Sequence, residues 1–192
     1  MVSLEQMNSG KTIAVFGSSR RDEDSEHYRE AYDLGSVLAR AGYAVLSGGY
    51  FGSMGAVSRG ARDAGGRVIG VTCAVFDPLP PNAWLTEEIK APTMLDRLAI
   101  MLDRSDGFVA VRGGIGTLSE VTLAWSLLQT RSQTGKPLVL LGADWQAIVD
   151  AFRAHSDLGG SIAALARVVH TPTDVLSALA APPTPPGPPP LG

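Results

Sequence analysis

Three turns of small residues carry the chemistry this chain could do: Gly17-Ser18-Ser19, the run Ser47-Gly48-Gly49-Tyr50-Phe51-Gly52-Ser53-Met54-Gly55, and Arg112-Gly113-Gly114-Ile115-Gly116-Thr117. Glycine lets backbone amides come close to an oxyanion. A helix starting directly after such a turn adds unpaired N–H groups and the positive end of its dipole. The ligand that suits these turns is a phosphate; the plainer alternative is that the glycines only make tight strand-to-helix turns. What is missing narrows the choice. The first turn lacks G-x-G-x-x-G and the second strand does not end in an acid for a ribose diol, which speaks against NAD. Gly10-Lys11-Thr12 imitates part of a P-loop but precedes the first strand, with no glycine five positions earlier, so ATP hydrolysis is not indicated. No G-x-S-x-G surrounds a serine, and no histidine lies near a plausible nucleophile.

For the turns to act on one ligand, the fold must bring them to one edge. Short apolar or β-branched runs alternate with longer segments at helical spacing, the pattern of βαβ units and a parallel sheet. Six strands read clearly, over Thr12–Phe16, 44–46, 68–71, 108–111, Leu138–Leu141 and 168–170, and a seventh is possible. Helices are expected near 25–41, 56–64, 93–104, after Thr117, at 145–154 and at Pro172–Ala180. In a doubly wound sheet of order 3-2-1-4-5, the turns after strands one and four flank the crevice where the strand order reverses, the place where such folds hold ligands. In the 93–104 helix, Met94, Leu95, Leu98, Met101 and Leu102 mark one apolar face and Ile100 a second, which predicts cover on more than one side. Arg97 falls beside that stripe, as an arginine at a site or an interface would. The proline-rich loop at 77–83 could shape a pocket or a partner surface.

The second turn resembles the G-G-G-x-x-G-x-M-G turn of the LOG ("Lonely guy") family, and Arg112-Gly113-Gly114-Ile115-Gly116-Thr117-Leu118-Ser119-Glu120 resembles its P-G-G-x-G-T-x-x-E motif. Met94-Leu95-Asp96-Arg97 is similar to the family's arginine-bearing helix, and Gly17-Ser18-Ser19 to its first loop. The resemblance spans about residues 13–141 and implies an α/β, Rossmann-like three-layer sandwich with a mostly parallel twisted sheet flanked by helices. It also implies a homodimer that hydrolyses the N-glycosidic bond of a nucleoside 5′-monophosphate, AMP or a cytokinin ribotide, without a cofactor or a metal. Glu120 would match the family's catalytic carboxylate and Arg97 its catalytic arginine. The implied phosphate- and nucleotide-binding residues are Gly17, Ser18, Ser19, Gly48, Gly49, Arg112, Gly113, Gly114, Gly116 and Thr117. Proteins of this type often bear the label lysine decarboxylase. A pyridoxal enzyme needs a Schiff-base lysine, however, and Lys11, Lys90 and Lys136 all lie outside the glycine turns. The chain departs from the family in having Leu98 for a lysine, Arg112 for a proline, Ser47 for a glycine and Ser119 for an acid. Those departures keep open an alternative on the same scaffold, a non-catalytic nucleotide or molybdenum-cofactor carrier.

Each residue also has a structural reading. Thr117-x-x-Glu120 is a capping box in form. Arg97 could be a surface arginine paired with Asp96 or Asp103, Ser18 and Ser19 could be turn residues, and Met94 and Trp125 suit a core or a dimer contact.

Composition bounds the rest. The chain has 192 residues, 45% apolar and 18% charged, which is one globular domain's worth. Residues 11–180 are expected to form that domain. Residues 1–10 are expected to be a disordered tail, and so are residues 181–192, with seven of the thirteen prolines from Pro182 onward. Sixteen basic and nineteen acidic side chains give a net charge of −3, no electrostatic reason to expect a nucleic-acid partner. No apolar run approaches bilayer length, and residues 1–10 lack the charged start and apolar block of a secretory signal. With Cys73 as the single cysteine and three scattered histidines, neither a disulfide nor a multi-cysteine metal site is expected, and a cytoplasmic location is.

Overall fold

The computed structural model describes residues 8–20 and 22–182. Of the expected tails at 1–10 and 181–192, residues 1–7 and 183–192 lie outside the described residues; residues 8–10 and 181–182 are described, with Asn8 Nδ2 donating to the Ala41 carbonyl and Arg167 Nη1 to the Ala181 carbonyl. The strands are β1 (Thr12–Phe16), β2 (Ala44–Ser47), β3 (Val68–Cys73), β4 (Glu87–Ala91), β5 (Gly107–Ala110), β6 (Leu138–Leu141) and β7 (Ala166–Val169). The helices are α1 (Glu26–Arg40), α2 (Ser53–Asp63), α3 (Met94–Asp103), α4 (Ile115–Gln129), α5 (Asp144–His155), α6 (Gly160–Ala163) and α7 (Pro172–Ala180). The sheet runs β4-β3-β2-β1-β5-β6-β7, and every neighbouring pair is parallel.

A parallel sheet needs cover on both faces, which is why its inner strands are near-continuous apolar runs. Alternation along each strand divides the core in two. Ile13 and Val15 of β1 join Val45, Val109 and Val139 beneath α1, α2 and α7. Ala14 and Phe16 face the other way and join Leu46, Phe108 and Leu140 beneath α3, α4 and α5, with the Phe16 and Phe108 rings stacked 6.0 Å apart. Helix ends follow local chemistry. The Ser25 side chain accepts the Tyr28 amide to start α1, and Thr171 with Asp174 forms a capping box at α7, where Pro172 takes the first helical position.

The doubly wound order is as expected, with β1 and β5 adjacent where the order reverses. Two details differ. The sequence pattern misses β4, because Glu-Glu-Ile-Lys-Ala reads as a charged loop. As an edge strand it needs only one apolar side: Ile89 packs on the core, while Thr72 on β3 donates a hydrogen bond to Glu88. Helix α3 is not covered on two sides at its start. Met94 and Leu95 are exposed, Met101 and Leu102 are buried, and the buried residue of the first turn and a half is Arg97.

Candidate active site

At the reversal point the chain leaves β1 through Gly17 and β5 through Val111. The Val111 amide donates to the Phe16 carbonyl (3.0 Å), and the Ser53 amide at the start of α2 donates to the Ser18 carbonyl (2.9 Å). These bonds tie the three small-residue turns together at one sheet edge. A cleft of about 630 Å³ opens above them, with Ser18, Arg97, Gly114, Gly116, Thr117 and Glu120 in its wall. A second cleft of about 390 Å³ adjoins it, sharing Ser18, Arg20 and Gly114.

Arg97 and Glu120 meet in the floor of the larger cleft. Thr93 caps α3 by accepting the Asp96 amide, which sets Arg97 one turn into the helix and pointing under the sheet edge. Only 5% of Arg97 is exposed. Its Nε donates to the Val71 carbonyl at 2.7 Å, its Nη1 to Glu120 Oε1 at 3.4 Å, and its Nη2 lies 3.9 Å from Met54 Sδ. Gly48 makes room for this arrangement, since a Cβ there would come within 1.8 Å of Nη2. The alternative in which Arg97 is a surface arginine paired with Asp96 or Asp103 does not occur; Asp96 bonds to Thr93 and Asp103 accepts from Gln133. Glu120 is 8% exposed, and burial pushes its carboxyl up to about 7 even though the adjacent Arg97 guanidinium pulls it down. A carboxyl poised there can give or take a proton at neutral pH.

The turn after β5 works differently. Gly114 is the N-cap of α4, and the first helical hydrogen bond runs from the Leu118 amide to the Gly114 carbonyl. The amides of Ile115, Gly116 and Thr117 therefore lie at the open end of the helix, where unpaired N–H groups and the helix dipole favour an anion. Gly114 and Gly116 have open space where a side chain would stand. Thr117 is the third helical residue and not the cap, so the capping box that its spacing suggests is absent. Its Oγ1 is buried without a hydrogen-bond partner among the described residues, tucked where a Cβ on Gly113 would come within 2.0 Å. Glu120, freed from capping, turns inward to Arg97.

Of the residues expected at the site, Gly17, Ser18, Ser19, Arg97, Gly114, Gly116, Thr117 and Glu120 line the larger cleft. Arg112 and Gly113 line only the smaller one, where Arg112 is ion-paired with Asp144 at 2.7 Å. Gly48 and Gly49 line neither: Gly48 sits against Arg97, and Gly49 (φ +78°) backs onto Gly70 and Thr72 of β3. Met94 belongs to the cleft wall, whereas Trp125 is a core residue whose Nε1 donates to the Ile162 carbonyl. Sequence reasoning misses the apolar wall formed by Tyr50, Met54, Phe76 and Leu79. Tyr50 and Met54 lie inside the quoted glycine turn and could have been found there. Phe76 and Leu79 come from the loop after β3, and nothing in their spacing points to the site. That loop is pinned by Asn82, whose Nδ2 donates to the Tyr50 carbonyl and whose amide donates to Gly49, and by a Lys90–Asp77 ion pair at 2.7 Å.

Over residues 10–167 the chain matches the SLOG cluster4 family. It belongs to that family. Among curated proteins, it is 33% identical over 145 residues to a cytokinin riboside 5′-monophosphate phosphoribohydrolase of Rhodococcoides fascians, covering 73% of this chain and 72% of that one. It is 34% identical over 143 residues to an Arabidopsis thaliana protein of the same name, covering 72% of this chain and 65% of the relative, so the match spans about two thirds of that relative's length. Among solved structures, the molybdenum cofactor carrier protein of Chlamydomonas reinhardtii superposes with a TM-score of 0.66 at 27% identity, covering 88% of this chain and 94% of that one. The family resemblance read from the glycine turns and the Arg97 helix thus extends across most of this SLOG cluster4 chain.

Proposed function

We propose that this SLOG cluster4 protein is a phosphoribohydrolase that cleaves the N-glycosidic bond of a nucleoside 5′-monophosphate, AMP or a cytokinin ribotide. The products are the free base and ribose 5-phosphate. The observation that carries this reading is the buried Arg97–Glu120 pair in the same cleft as the open, amide-rich start of α4. The 5′-phosphate is held by the amides of 115–117 and the Thr117 hydroxyl, a binding contribution remote from the scissile bond that fixes the ribose over the pair. As the C1′–N bond breaks, its electron pair leaves with the base and positive charge grows on the ribose. The Glu120 carboxylate stabilises that charge and accepts a proton from the water whose oxygen bonds to C1′. The departing base takes up a proton in turn, so one water is consumed per bond cleaved. Arg97, fixed by Val71, keeps Glu120 oriented and offers a donor to the sugar. The names of the curated relatives support this reading.

The likeness to a molybdenum cofactor carrier supports a second reading, a binding protein without catalysis. Incubation with AMP separates the two. Free adenine and ribose 5-phosphate should appear with the wild type and not with Glu120→Gln. Tight binding of nucleotides with no base released from any ribotide would favour the carrier.

The assembly belongs to the same proposal. Leu95 is 77% exposed and follows Met94, which is itself exposed and shares the cleft wall with Phe76, Leu79 and Ile115, the last 81% exposed. Isolated apolar residues are ordinary on a surface, but a rim of them marks an interface. The proposed occupant is a second copy of the chain. Light scattering should show a dimer that Leu95→Asp dissociates. Among the described residues no helix is long and apolar enough to cross a membrane. A cytoplasmic location is part of the same proposal, supported by the single cysteine, a buried free thiol.

A further inference from the structure

The smaller cleft has no part in the mechanism, yet it is continuous with the phosphate end of the larger one. Both contain Ser18, Arg20 and Gly114, so the start of α4 forms a waist between them. A phosphate at that waist, with its ribose over Glu120, would border the smaller cleft. Among the described residues, that side is lined by two arginines, Arg20 and Arg112, with His27, Ser25, Ser53 and Tyr28, against one carboxylate, Asp22. Arg112 is held by Asp144, and that pair is more than half exposed, so an anion with better geometry can compete for the guanidinium. The Arg20 side chain has no hydrogen-bond partner among the described residues; only its backbone amide is engaged, by the Ser18 hydroxyl. An exposed arginine without a partner and a second arginine on a weak one, facing the same 390 Å³ space, leave positive charge unspent beside a phosphate site.

We infer that the smaller cleft is a subsite for a second phosphoryl group in anhydride linkage with the first, so that the protein binds nucleoside 5′-diphosphates in preference to monophosphates. The inference rests on the proposed placement of the 5′-phosphate at the start of α4. It adds that the β-phosphate reaches Arg112 and Arg20 while the base and ribose keep the positions a monophosphate uses. Inorganic pyrophosphate fits the same two places without a nucleoside.

Binding of AMP, ADP, orthophosphate and pyrophosphate is measured by calorimetry on the intact protein, wild type, Arg112→Ala and Arg20→Ala. Adenine release from AMP is followed in parallel. The wild type should bind ADP about fivefold or more tightly than AMP, as one added charge-assisted contact in a partly solvated site implies. Pyrophosphate should likewise bind more tightly than orthophosphate, and each arginine variant should shrink the ADP-to-AMP ratio toward one. Equal affinity for ADP and AMP in the wild type, or a preference that survives both substitutions, overturns the subsite. Adenine release from AMP without any ADP preference defeats the subsite and leaves the hydrolase reading standing. An arginine-dependent ADP preference without adenine release does the reverse.

Discussion

The turn after β2 and the turn after β5 are both glycine-rich strand-to-helix connections, but their glycines exist for opposite reasons. In the first, a Cβ on Gly48 would strike the Arg97 guanidinium, and a Cβ on Gly52 (φ +64°) would lie 2.4 Å from the Arg20 carbonyl and 2.5 Å from that of Ser18. The space those side chains would fill is already occupied by protein. In the second, Gly113 is also held by packing, since a Cβ there would come within 2.0 Å of Thr117 Oγ1, but a Cβ on Gly114 or Gly116 would meet nothing within 4 Å. Packing does not require glycine there, and the space left open is where a ligand's phosphate would approach the backbone. One turn is small so that Arg97 can be buried; the other leaves its backbone amides open, where the proposed phosphate would reach them. Composition alone makes the two look alike.

Substitutions should pull this contrast apart. The largest effect is expected at the pair that the first turn supports: Glu120→Gln should lower the rate of base release by about 10²- to 10⁴-fold, the range for loss of a general acid–base group. Its melting temperature at pH 8 should be unchanged or higher, because a buried charge has been removed; differential scanning calorimetry checks that the loss is chemical. Gly48→Ala should cost about 1 to 3 kcal/mol of stability by overpacking against Arg97 and Met54, measurable by urea unfolding, with base release falling alongside.

The pH profile comes next. With the Glu120 carboxyl at about 7 and the ionised form active, kcat/KM should fall about tenfold per pH unit below 7 and level off above it. The same shift has a stability sign. Because the folded-state value lies above the ordinary 4.5, the folded chain holds a proton that the unfolded chain has released between about pH 4.5 and 7. This group's contribution is fully present at the acid end of that window and is lost as pH rises through it, and Glu120→Gln should remove that component. The smallest effect is expected in the open turn: Gly116→Ala should keep or slightly raise stability, as alanine does in a helix, while weakening AMP binding about tenfold. If Gly116→Ala instead unfolds the protein, or Gly48→Ala leaves Arg97 and stability untouched, the contrast between the turns fails.

The central sheet is legible in the sequence because buried parallel strands such as Leu138–Leu141 and Thr12–Phe16 have no polar face to disguise them. The turns are legible because glycine runs directly after strands have few other uses. Where the signal breaks down, a physical cause is visible. β4 carries charge because only one of its edges is paired. Met94 and Leu95 carry an apolar pattern that the fold of one chain leaves uncovered, while the polar-looking position beside them, Arg97, is the one the core encloses. Thr117 and Glu120 have the spacing of a capping box, yet α4 starts two residues before the threonine because Gly114 is the cap, and that offset carries the carboxylate into the cleft. Spacing reports which residues share a helix face. It does not report where the helix begins.

The proposed hydrolysis requires one ribotide to be held by the open turn while its glycosidic bond lies over the buried acid and guanidinium. A crystal structure of Glu120→Gln soaked with AMP tests this most directly. The prediction is a phosphate within hydrogen-bond distance of the amides of residues 115–117, with C1′ facing residue 120 and Arg97. A nucleotide whose phosphate lies elsewhere, or whose C1′ points away from residue 120, would contradict it.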